Sequence, residues 1–199
     1  MEITTEIIVA LREKTGCGMM DCKAALKEVN GDLEQAADFL RKKGLASAAR
    51  RADRVASQGI VESYIHTGGK IGVLIEVNSE TDFVARNDDF TGFARNLAMQ
   101  IAASAPQYIS RDEVPDNLIK HEIEIVTSQA KQEGKPEKAI EKIVEGRLEK
   151  FYAEVCLLDQ PYIRDPKKII KDLLADLVAK IGENIVIRRF ARFQLGEKS

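Results

Sequence analysis

The chain has 199 residues, a length that predicts one large domain or a small domain followed by a medium one. Its 30 Lys and Arg residues nearly balance 32 Asp and Glu residues, which excludes an overall basic field for nucleic acid, and a hydrophobic content of 44% excludes general disorder. Three cysteines are too few, and odd in number, for a secreted disulfide scaffold, and no stretch approaches the roughly 20 apolar residues of a membrane span. We therefore expect a cytoplasmic protein that does not contact a membrane.

The first fifty residues are predicted to form three short helices, because apolar residues recur there at helical spacing. The first helix stops at Gly16, the second ends at Gly31, and the third begins with Asp32 as its N-cap and stops at Gly44. The three apolar stripes are Ile3, Ile7, Ile8 and Leu11; Met19, Cys22, Leu26 and Val29; and Leu33, Ala36, Ala37 and Leu40. Residues 45–56 are Ala-rich and basic, and we interpret them as a helical linker.

From Gly59 the hydrophobic period changes from about 3.6 to 2, which predicts a β-hairpin with its turn at residues 67–70. Ile71, Val73, Ile75 and Val77 share one face of its second strand. Four further stretches carry apolar residues at helical spacing and predict helices; their first apolar residues are Phe90, Ile119, Ile140 and Ile169. Residues 185–195 predict a closing strand. The second part of the chain is therefore expected to be an α+β domain in which a small antiparallel sheet packs on helices.

Catalytic and metal sites are hard to find in this sequence. Cys17 and Cys22 could form a metal or redox pair, but structural zinc sites require about four ligands and no histidine lies near them, so small buried thiols are favoured. The two histidines, His66 and His121, lie in no nucleophile motif, and the chain has no phosphate-binding or dinucleotide loop. We expect no catalytic residue, no bound metal and no cofactor.

A basic run near residue 50 allows two interpretations. Arg41, Lys42, Lys43, Arg50, Arg51 and Arg54 belong to it. They could contact phosphate, as in an RNA-associated protein, but they alternate with alanines and Asp53 and lack the aromatic residues on which bases stack. A solvated linker face is favoured. The helical bundle alone would also suit an adaptor that binds a helical partner.

The segment ETDFVARNDD, residues 80–89, is the most unusual in the chain. Thr81 can cap a short helical turn, and Phe83 stands among charged residues just after a strand end. In one interpretation Phe83 joins the buried stripe of Phe90. In a second interpretation, a separate turn exposes the ring, which then serves as an anchor for a pocket on a partner. The second interpretation is favoured, because Asn87 and Asp88 predict the start of a new helix.

Three segments carry a family resemblance. Residues 15–44 have the sequence TGCGMMDCKAALKEVNGDLEQAADFLRKKG, residues 77–88 VNSETDFVARND, and residues 134–163 GKPEKAIEKIVEGRLEKFYAEVCLLDQPYI. In these segments and their order the chain resembles the bacterial elongation factor Ts family, short form, over essentially its whole length. The first segment resembles the ubiquitin-associated (UBA)-type bundle that opens members of this family.

The resemblance implies both an architecture and a function. We expect a UBA-like three-helix bundle and linker helix over residues 1–52 and an α+β core (dimerisation) domain over residues 53–199. The implied function is that of a guanine-nucleotide exchange factor for elongation factor Tu in translation elongation. Such a factor is not an enzyme: it binds the GDP-bound partner, promotes release of Mg²⁺ and GDP, and stays bound until GTP binds.

The resemblance also implies roles for individual residues. Mg²⁺ displacement in the partner is assigned to Thr81, Asp82, Phe83 and Val84. Partner binding is assigned to Arg12, Met19, Met20 and Lys23 on the bundle, to Tyr64, Ile65 and His66 on the hairpin, and to Ile163 and Arg164, although Arg164 stands where longer members carry an apolar residue. Short members form homodimers, and the apolar segment fit for such an interface is Phe151, Tyr152, Val155, Cys156 and Leu157. The alternative is that this last segment lies in the chain's own core.

Overall fold

The structure is a computed structural model that describes residues 3–197, and over this range the chain forms an α+β fold with eight α-helices and five strands. The helices are α1 (Thr5–Thr15), α2 (Met19–Glu28), α3 (Leu33–Arg51), α4 (Asp82–Ala85), α5 (Asp88–Ser104), α6 (Asp116–Gln132), α7 (Glu137–Val155) and α8 (Ile170–Ile181). The strands are β1 (Gln58–Ile65), β2 (Ile71–Ser79), β3 (Pro161–Tyr162), β4 (Asp165–Ile169) and β5 (Ile185–Gln194). The predicted α+β class with a small antiparallel sheet is confirmed, and the UBA-like character of the opening bundle stays a prediction.

The described residues form two compact units. The first comprises the residues up to Glu62 together with Ile75–Arg95 and Asp172–Arg188. The second comprises Ser63–Leu74, Asn96–Lys171 and the residues from Arg189 onward. The expected division into domains at residue 52 stays a prediction. Within the described range no helix is both long and apolar enough to cross a bilayer.

The opening three helices pack around a small apolar core of their own. Its buried members are Ile8, Leu11, Cys22, Ala25, Leu26, Ala36 and Leu40. The predicted stripes are therefore confirmed, with the exception of Met19, whose side chain is exposed. The chain turns between α2 and α3 at Asn30 and Gly31, which have φ values of 54° and 85°. Asp32 then caps α3 as predicted, because its Oδ1 accepts the Gln35 N–H at 2.9 Å.

The predicted stop of the third helix at Gly44 is wrong, because α3 continues without a break to Arg51. Gly44 is buried, and a Cβ built on it would lie 3.6 Å from the Cβ of Ala179 on α8. The glycine is therefore a point of close approach between two helices, and a glycine inside a helical pattern often has such a packing reason. Of the expected linker helix over residues 45–56, residues 45–51 are the last part of α3, and residues 52–56 are not helical.

The larger sheet has three strands in the order β1-β2-β5, so β2 lies in the middle. A connection as short as that between β1 and β2 forces an antiparallel hairpin, as predicted. The Leu195 N–H donates to the Lys70 oxygen at 2.8 Å, so the end of β5 meets the start of β2. Val73, Ile75 and Val77 are buried, and they lie on the face of β2 that the alternation predicted.

A second sheet of two antiparallel strands, β3 and β4, was not predicted. Strand β3 has only two residues, and the turn after it is formed by Ile163 and Arg164. A pattern of alternation cannot be seen in so short a strand. The predicted last helix also starts one residue later than expected, because Ile169 ends β4 and α8 begins at Ile170.

The close approach at Gly44 predicts opposite effects for a small and a large side chain. Gly44→Ala should leave the protein as stable or stabilise it by up to about 1 kcal/mol, because its Cβ fits at ordinary contact distance and alanine is the better helix former. Gly44→Leu should lower the free energy of unfolding by about 1–3 kcal/mol, because the larger side chain forces α3 away from Ala179. Urea unfolding followed by circular dichroism measures both. Equal stability of the two variants would show that the helices do not pack at this point.

Candidate functional site

Phe83 lies on a short, separate helix and not on the buried stripe of α5. Helix α4 spans Asp82–Ala85, and α5 begins afterwards at Asp88. The ring of Phe83 is 82% exposed, whereas that of Phe90 is fully buried. The interpretation of residues 80–89 as a separate turn with an exposed ring is therefore confirmed. An exposed aromatic ring of this kind can serve as an anchor that fills a pocket on a partner.

Thr81 connects β2 to α4, and each of its polar atoms has a hydrogen-bond partner. Its hydroxyl donates to Oε1 of Glu183 at 2.7 Å and accepts the Val84 N–H at 3.4 Å, and the second of these bonds caps α4. Its backbone N–H donates to Oε2 of the same Glu183 at 3.0 Å. Its carbonyl oxygen accepts the buried Ser79 hydroxyl at 2.9 Å and the Ala85 N–H at 3.3 Å. All polar atoms of Thr81, the residue that precedes α4, are therefore hydrogen-bonded.

The outer side of α4 carries a local ion pair. A guanidinium nitrogen of Arg86 lies 3.1 Å from Oδ2 of Asp82, one helical turn away, and both side chains are exposed. Exposed pairs of this kind contribute little to stability. Val84 is half-buried and Ala85 is buried, so Asp82 and Phe83 are the two side chains that α4 presents to solvent.

Glu183 belongs to the turn between α8 and β5, and hydrogen bonds join this turn to the residues that follow α3. The side-chain amide of Asn184 donates to the Arg54 oxygen at 2.8 Å and to the Ala52 oxygen at 3.2 Å. The Asn184 N–H donates to Oε1 of Glu80 at 2.6 Å. Sequence reasoning missed Glu183 and Asn184, because no local pattern marks the distant groups that they contact.

The basic run at the end of α3 is engaged within the chain. Arg51 Nε donates to the backbone oxygen of Gly182 at 2.9 Å. A guanidinium nitrogen of Arg54 lies 3.5 Å from Oε1 of Glu80. Lys43 Nζ lies 2.8 Å from Asp21. Most of the run is exposed, as the favoured interpretation of a solvated linker face predicts, and Arg51 is half-buried.

The bundle residues assigned to partner binding are on its surface. Met20 is 77% exposed, and Arg12, Met19 and Lys23 are exposed as well. Methionine is flexible and polarisable, and it is used at surfaces that adapt to a partner. The structure leaves these side chains available for binding.

The hairpin and the β3–β4 turn present the remaining assigned residues in the second unit. The Tyr64 hydroxyl and His66 Nδ1 share a hydrogen bond of 2.9 Å beside the exposed Ile65. The Ile163 N–H donates to Oε1 of Gln100 at 2.9 Å, and Ile163 itself is exposed.

The buried Gln100 holds this turn in place. Its Nε2 donates to the Gln160 side-chain oxygen at 3.1 Å and to the Pro161 oxygen at 3.2 Å. Arg164, beside Ile163, lies with a guanidinium nitrogen 3.5 Å from the Met99 sulfur. Sequence reasoning missed Gln100, because a glutamine on a helix carries no signal of what it will meet.

The segment assigned to a dimer interface is partly enclosed by the chain itself. Val155, Cys156 and Leu157 are buried, with Val155 and Cys156 packed against Val114, which is the alternative that the sequence left open. Phe151 and Tyr152 are half-buried and retain exposed area. The dimer itself stays a prediction.

An arginine cluster holds the same segment. Arg111 forms two hydrogen bonds with Glu149, at 2.8 and 2.7 Å, and two with Asp159, at 2.9 and 2.7 Å. Its guanidinium carbon lies 4.6 Å from the centroid of the Tyr152 ring, a cation–π contact. The hydrogen bonds with Glu149 and Asp159 raise the pKa of Arg111, and those from Arg111 lower the pKa of Glu149.

All three cysteines are free thiols. Cys22 is fully buried in the core of the bundle, as the interpretation as a small buried thiol predicts. Cys17 is half-buried, and burial raises its pKa. Burial also raises the pKa of Cys156 to about 11. Among residues 3–197, no three His, Cys, Asp or Glu side chains are grouped so that they could hold a metal ion.

Comparison with known proteins decides the family. The family model described as Elongation factor TS matches residues 24–177. Elongation factor Ts of Carboxydothermus hydrogenoformans is 60% identical over 195 residues, which cover 98% of this chain and 90% of that protein. The chain belongs to the elongation factor Ts family. The proteins of the same name from Caldanaerobacter subterraneus and Moorella thermoacetica are also 60% identical, over 98% and 96% of this chain and 98% and 94% of their own lengths.

The part of the chain matched by the elongation factor Ts model contains α4 and the β3–β4 turn. Glu183 and Asn184 lie beyond it, although they form the contacts that hold the base of α4. In this member of the elongation factor Ts family, the motif around Phe83 is therefore supported from a distant part of the sequence.

The environments of the cysteines predict their order of reaction. At pH 8, iodoacetamide should modify Cys17 first and leave Cys156 unmodified until urea is added, because alkylation requires an accessible thiolate and burial keeps Cys156 protonated. Peptide mass mapping at successive times measures the order, with the buried Cys22 as an internal control. Modification of Cys156 as fast as that of Cys17 in the folded protein would contradict its burial.

Proposed function

We propose that the chain is the guanine-nucleotide exchange factor for elongation factor Tu, acting in translation in the cytoplasm. The observation that carries the proposal is the exposed ring of Phe83 on a short helix whose base is held by hydrogen bonds. The name elongation factor Ts, shared by relatives over nearly the whole chain, supports it. In this proposal the chain binds elongation factor Tu with GDP bound and remains attached until GTP enters.

The loop of Thr81, Asp82, Phe83 and Val84 would act on the magnesium of the partner. A phenyl ring that enters a pocket of the GTPase moves the segment that holds Mg²⁺. Without the cation, the negative charge of the diphosphate is no longer neutralised, and GDP dissociates faster. The ring needs no chemistry of its own, since shape and position are sufficient. As an exchange factor the chain makes and breaks no covalent bond.

Acceleration of exchange follows from differential binding. A factor that binds the open, nucleotide-free GTPase more tightly than the GDP-bound form shifts the population toward the open form. By thermodynamic reciprocity, the nucleotide weakens binding of the factor by the same ratio. GTP binding then releases the factor, so each molecule can act many times.

Docking would be provided by surfaces distinct from α4. We assign it to Arg12, Met19, Met20 and Lys23, to Tyr64, Ile65 and His66, and to Ile163 and Arg164. Burial of an exposed side chain such as Met20 contributes about 1.5–3 kcal/mol, enough to change binding markedly. Arg164 replaces an apolar residue of longer family members, and at this position we assign the contact to the stem of its side chain.

The organisation of the chain fits separate tasks. We propose that residues 1–52 form a UBA-like bundle with its linker helix and that residues 53–199 form the core domain. The first three helices contribute all the residues of one buried core, which supports a bundle with its own packing: Ile8, Leu11, Cys22, Ala25, Leu26, Ala36 and Leu40. We further propose a homodimer in which Phe151 and Tyr152 contact a second copy, while Val155, Cys156 and Leu157 support them from inside.

Removal of the Phe83 ring tests the exchange function. Phe83→Ala should lower the maximum rate of GDP release from elongation factor Tu by about tenfold or more, because the side chain that enters the partner's pocket is lost. The free energy of unfolding should hardly change, because the ring is already in water. Stopped-flow release of a fluorescent GDP analogue gives the rate, and urea unfolding gives the stability.

The matched control is Val55→Ala, which truncates another side chain of the first unit that is 81% exposed. It should leave both measurements unchanged. If the unmodified chain does not accelerate GDP release, the proposed function is wrong. If it does and Phe83→Ala is equally active, the ring has no part in exchange.

Assembly can be tested by light scattering at micromolar concentration. With reductant present, the mass should be about twice the 22.1 kDa of one chain, because packing and not a disulfide holds the proposed dimer. Phe151→Ser should lower the mass toward that of the monomer, while Glu145→Ser, on the same helix, should not. A monomeric mass for the unmodified chain would refute the dimer and leave the exchange function standing.

A further inference from the structure

The four-residue helix α4 cannot be stable by its own backbone hydrogen bonds. Isolated helices shorter than about 12 residues are marginal in water, because the first turn fixes several residues for a single hydrogen bond. Residues 82–85 form one turn, and the largest side chain on it, Phe83, gains nothing from burial. Contacts outside the turn must therefore hold it, and these contacts determine where the ring points.

The strongest of these contacts is made by a single carboxylate. Oε1 of Glu183 accepts the Thr81 hydroxyl and Oε2 accepts the Thr81 N–H. Hydrogen bonds to a charged acceptor are roughly twice as strong as neutral ones. A pair of such bonds to one residue also fixes the rotation of that residue, which a single bond does not.

The carboxylate also orients the cap of α4. A hydroxyl group has one hydrogen to donate, and here the hydrogen is directed to Glu183. A lone pair of the same oxygen is thereby left to face the Val84 N–H, which it accepts at 3.4 Å. Without Glu183 the hydroxyl hydrogen would have no fixed acceptor, and the orientation of the cap would no longer be set.

Glu183 is itself held in place. Its neighbour Asn184 is buried and bonded through its side chain to two carbonyl oxygens at the end of α3, and through its N–H to Glu80. Gly182, on the other side, accepts a hydrogen bond from Arg51. The carboxylate therefore projects from a turn that is fixed on both sides.

From this geometry we infer that Glu183 is a positioning residue for nucleotide exchange, which fixes Thr81 and thereby holds Phe83 ready to enter the partner. The inference rests on the proposed exchange function and adds a residue about one hundred positions from the loop. Glu183 need not touch the partner. It acts through Thr81, and its effect on exchange must therefore disappear when the ring of Phe83 is absent.

Glu183→Gln keeps the size of the side chain and replaces one accepting oxygen by an amide that donates. One of the two Thr81 donors then loses its partner. We expect the maximum rate of GDP release to fall about tenfold, the order of effect of losing a hydrogen bond to a charged group. The concentration of factor that gives half-maximal release should change less than about twofold, because the docking surfaces are intact. Glu145→Gln, on the exposed side of α7, is the control and should change neither value.

Combination with Phe83→Ala separates positioning from a general structural role. If Glu183 acts through the ring, Glu183→Gln should add no further loss in the Phe83→Ala background. A loss that multiplies in the double variant would overturn the inference, as would a fully active Glu183→Gln. Should Glu183→Gln fail to fold, Thr81→Val removes the hydroxyl contact from the other side and is tested in the same way.

A measurement without the partner keeps this inference distinct from the exchange function. Chymotrypsin cleaves after exposed phenylalanines, and the fragment masses identify cleavage after Phe83. In Glu183→Gln this cleavage should be several-fold faster than in the unmodified chain, with the rate at Phe193 unchanged. Equal rates at Phe83 would overturn the positioning role even if exchange is confirmed. Faster cleavage together with no exchange by the unmodified chain would uphold the positioning of Phe83 and refute the exchange function.

Discussion

The two hydrogen bonds between Thr81 and the Glu183 carboxylate are the constraint on which the rest of the loop depends. A large apolar ring held in water gains little burial energy, so its position depends on the contacts that the rest of its turn makes, both the packing of Val84 and Ala85 and the hydrogen bonds of Thr81. Thr81 supplies the connection, because it donates twice to Glu183 and caps α4 with the same hydroxyl. The loop is thus a rigid base that carries an unpacked side chain. This combination suits a residue that must enter another protein without first being ordered.

Helix packing in the first unit places Glu183 beside the loop that carries Phe83. Gly44 lets α3, which extends to Arg51, approach α8 closely. In the turn after α8, the Gly182 oxygen accepts a hydrogen bond from Arg51, and the Asn184 side chain donates one to the Arg54 oxygen. A larger residue at position 44 would move these elements apart. The same packing that stabilises the unit therefore determines the place of Glu183. Stability and the geometry of the loop depend on one set of contacts.

In the second unit, too, polar side chains hold the segments that carry exposed apolar residues. The buried Gln100 holds the turn of Ile163, and Arg111 joins Glu149, Asp159 and the ring of Tyr152. Each is a polar side chain that meets groups from different parts of the chain. For the buried Gln100 such partners are necessary, because a buried polar group without a hydrogen bond is costly, whereas Arg111 lies at the surface, where several charged partners fix its side chain. Exposed apolar side chains such as Ile163 and Ile65 can then be presented on fixed backbones.

The local patterns of the sequence determined most of the elements. The apolar stripes of α1, α2, α5 and α6, the cap at Asp32, the hairpin and the closing strand were all predicted, because helix and strand periods and cap residues act over a few neighbours. The exposed ring of Phe83 was also predicted from the polar residues around it. The family resemblance named the loop, and the comparisons confirmed the family.

Only the tertiary structure decided the contacts between residues that are far apart in sequence. Gly44 was interpreted as a stop, because its partner Ala179 is unknown to a local pattern. Cys156 was assigned to a dimer interface, with the chain's own core as the alternative, and folding placed it against Val114. Glu183 and Gln100 carried no signal at all. A hydrogen bond across one hundred residues is formed by the path of the whole chain, and no period of the sequence records it.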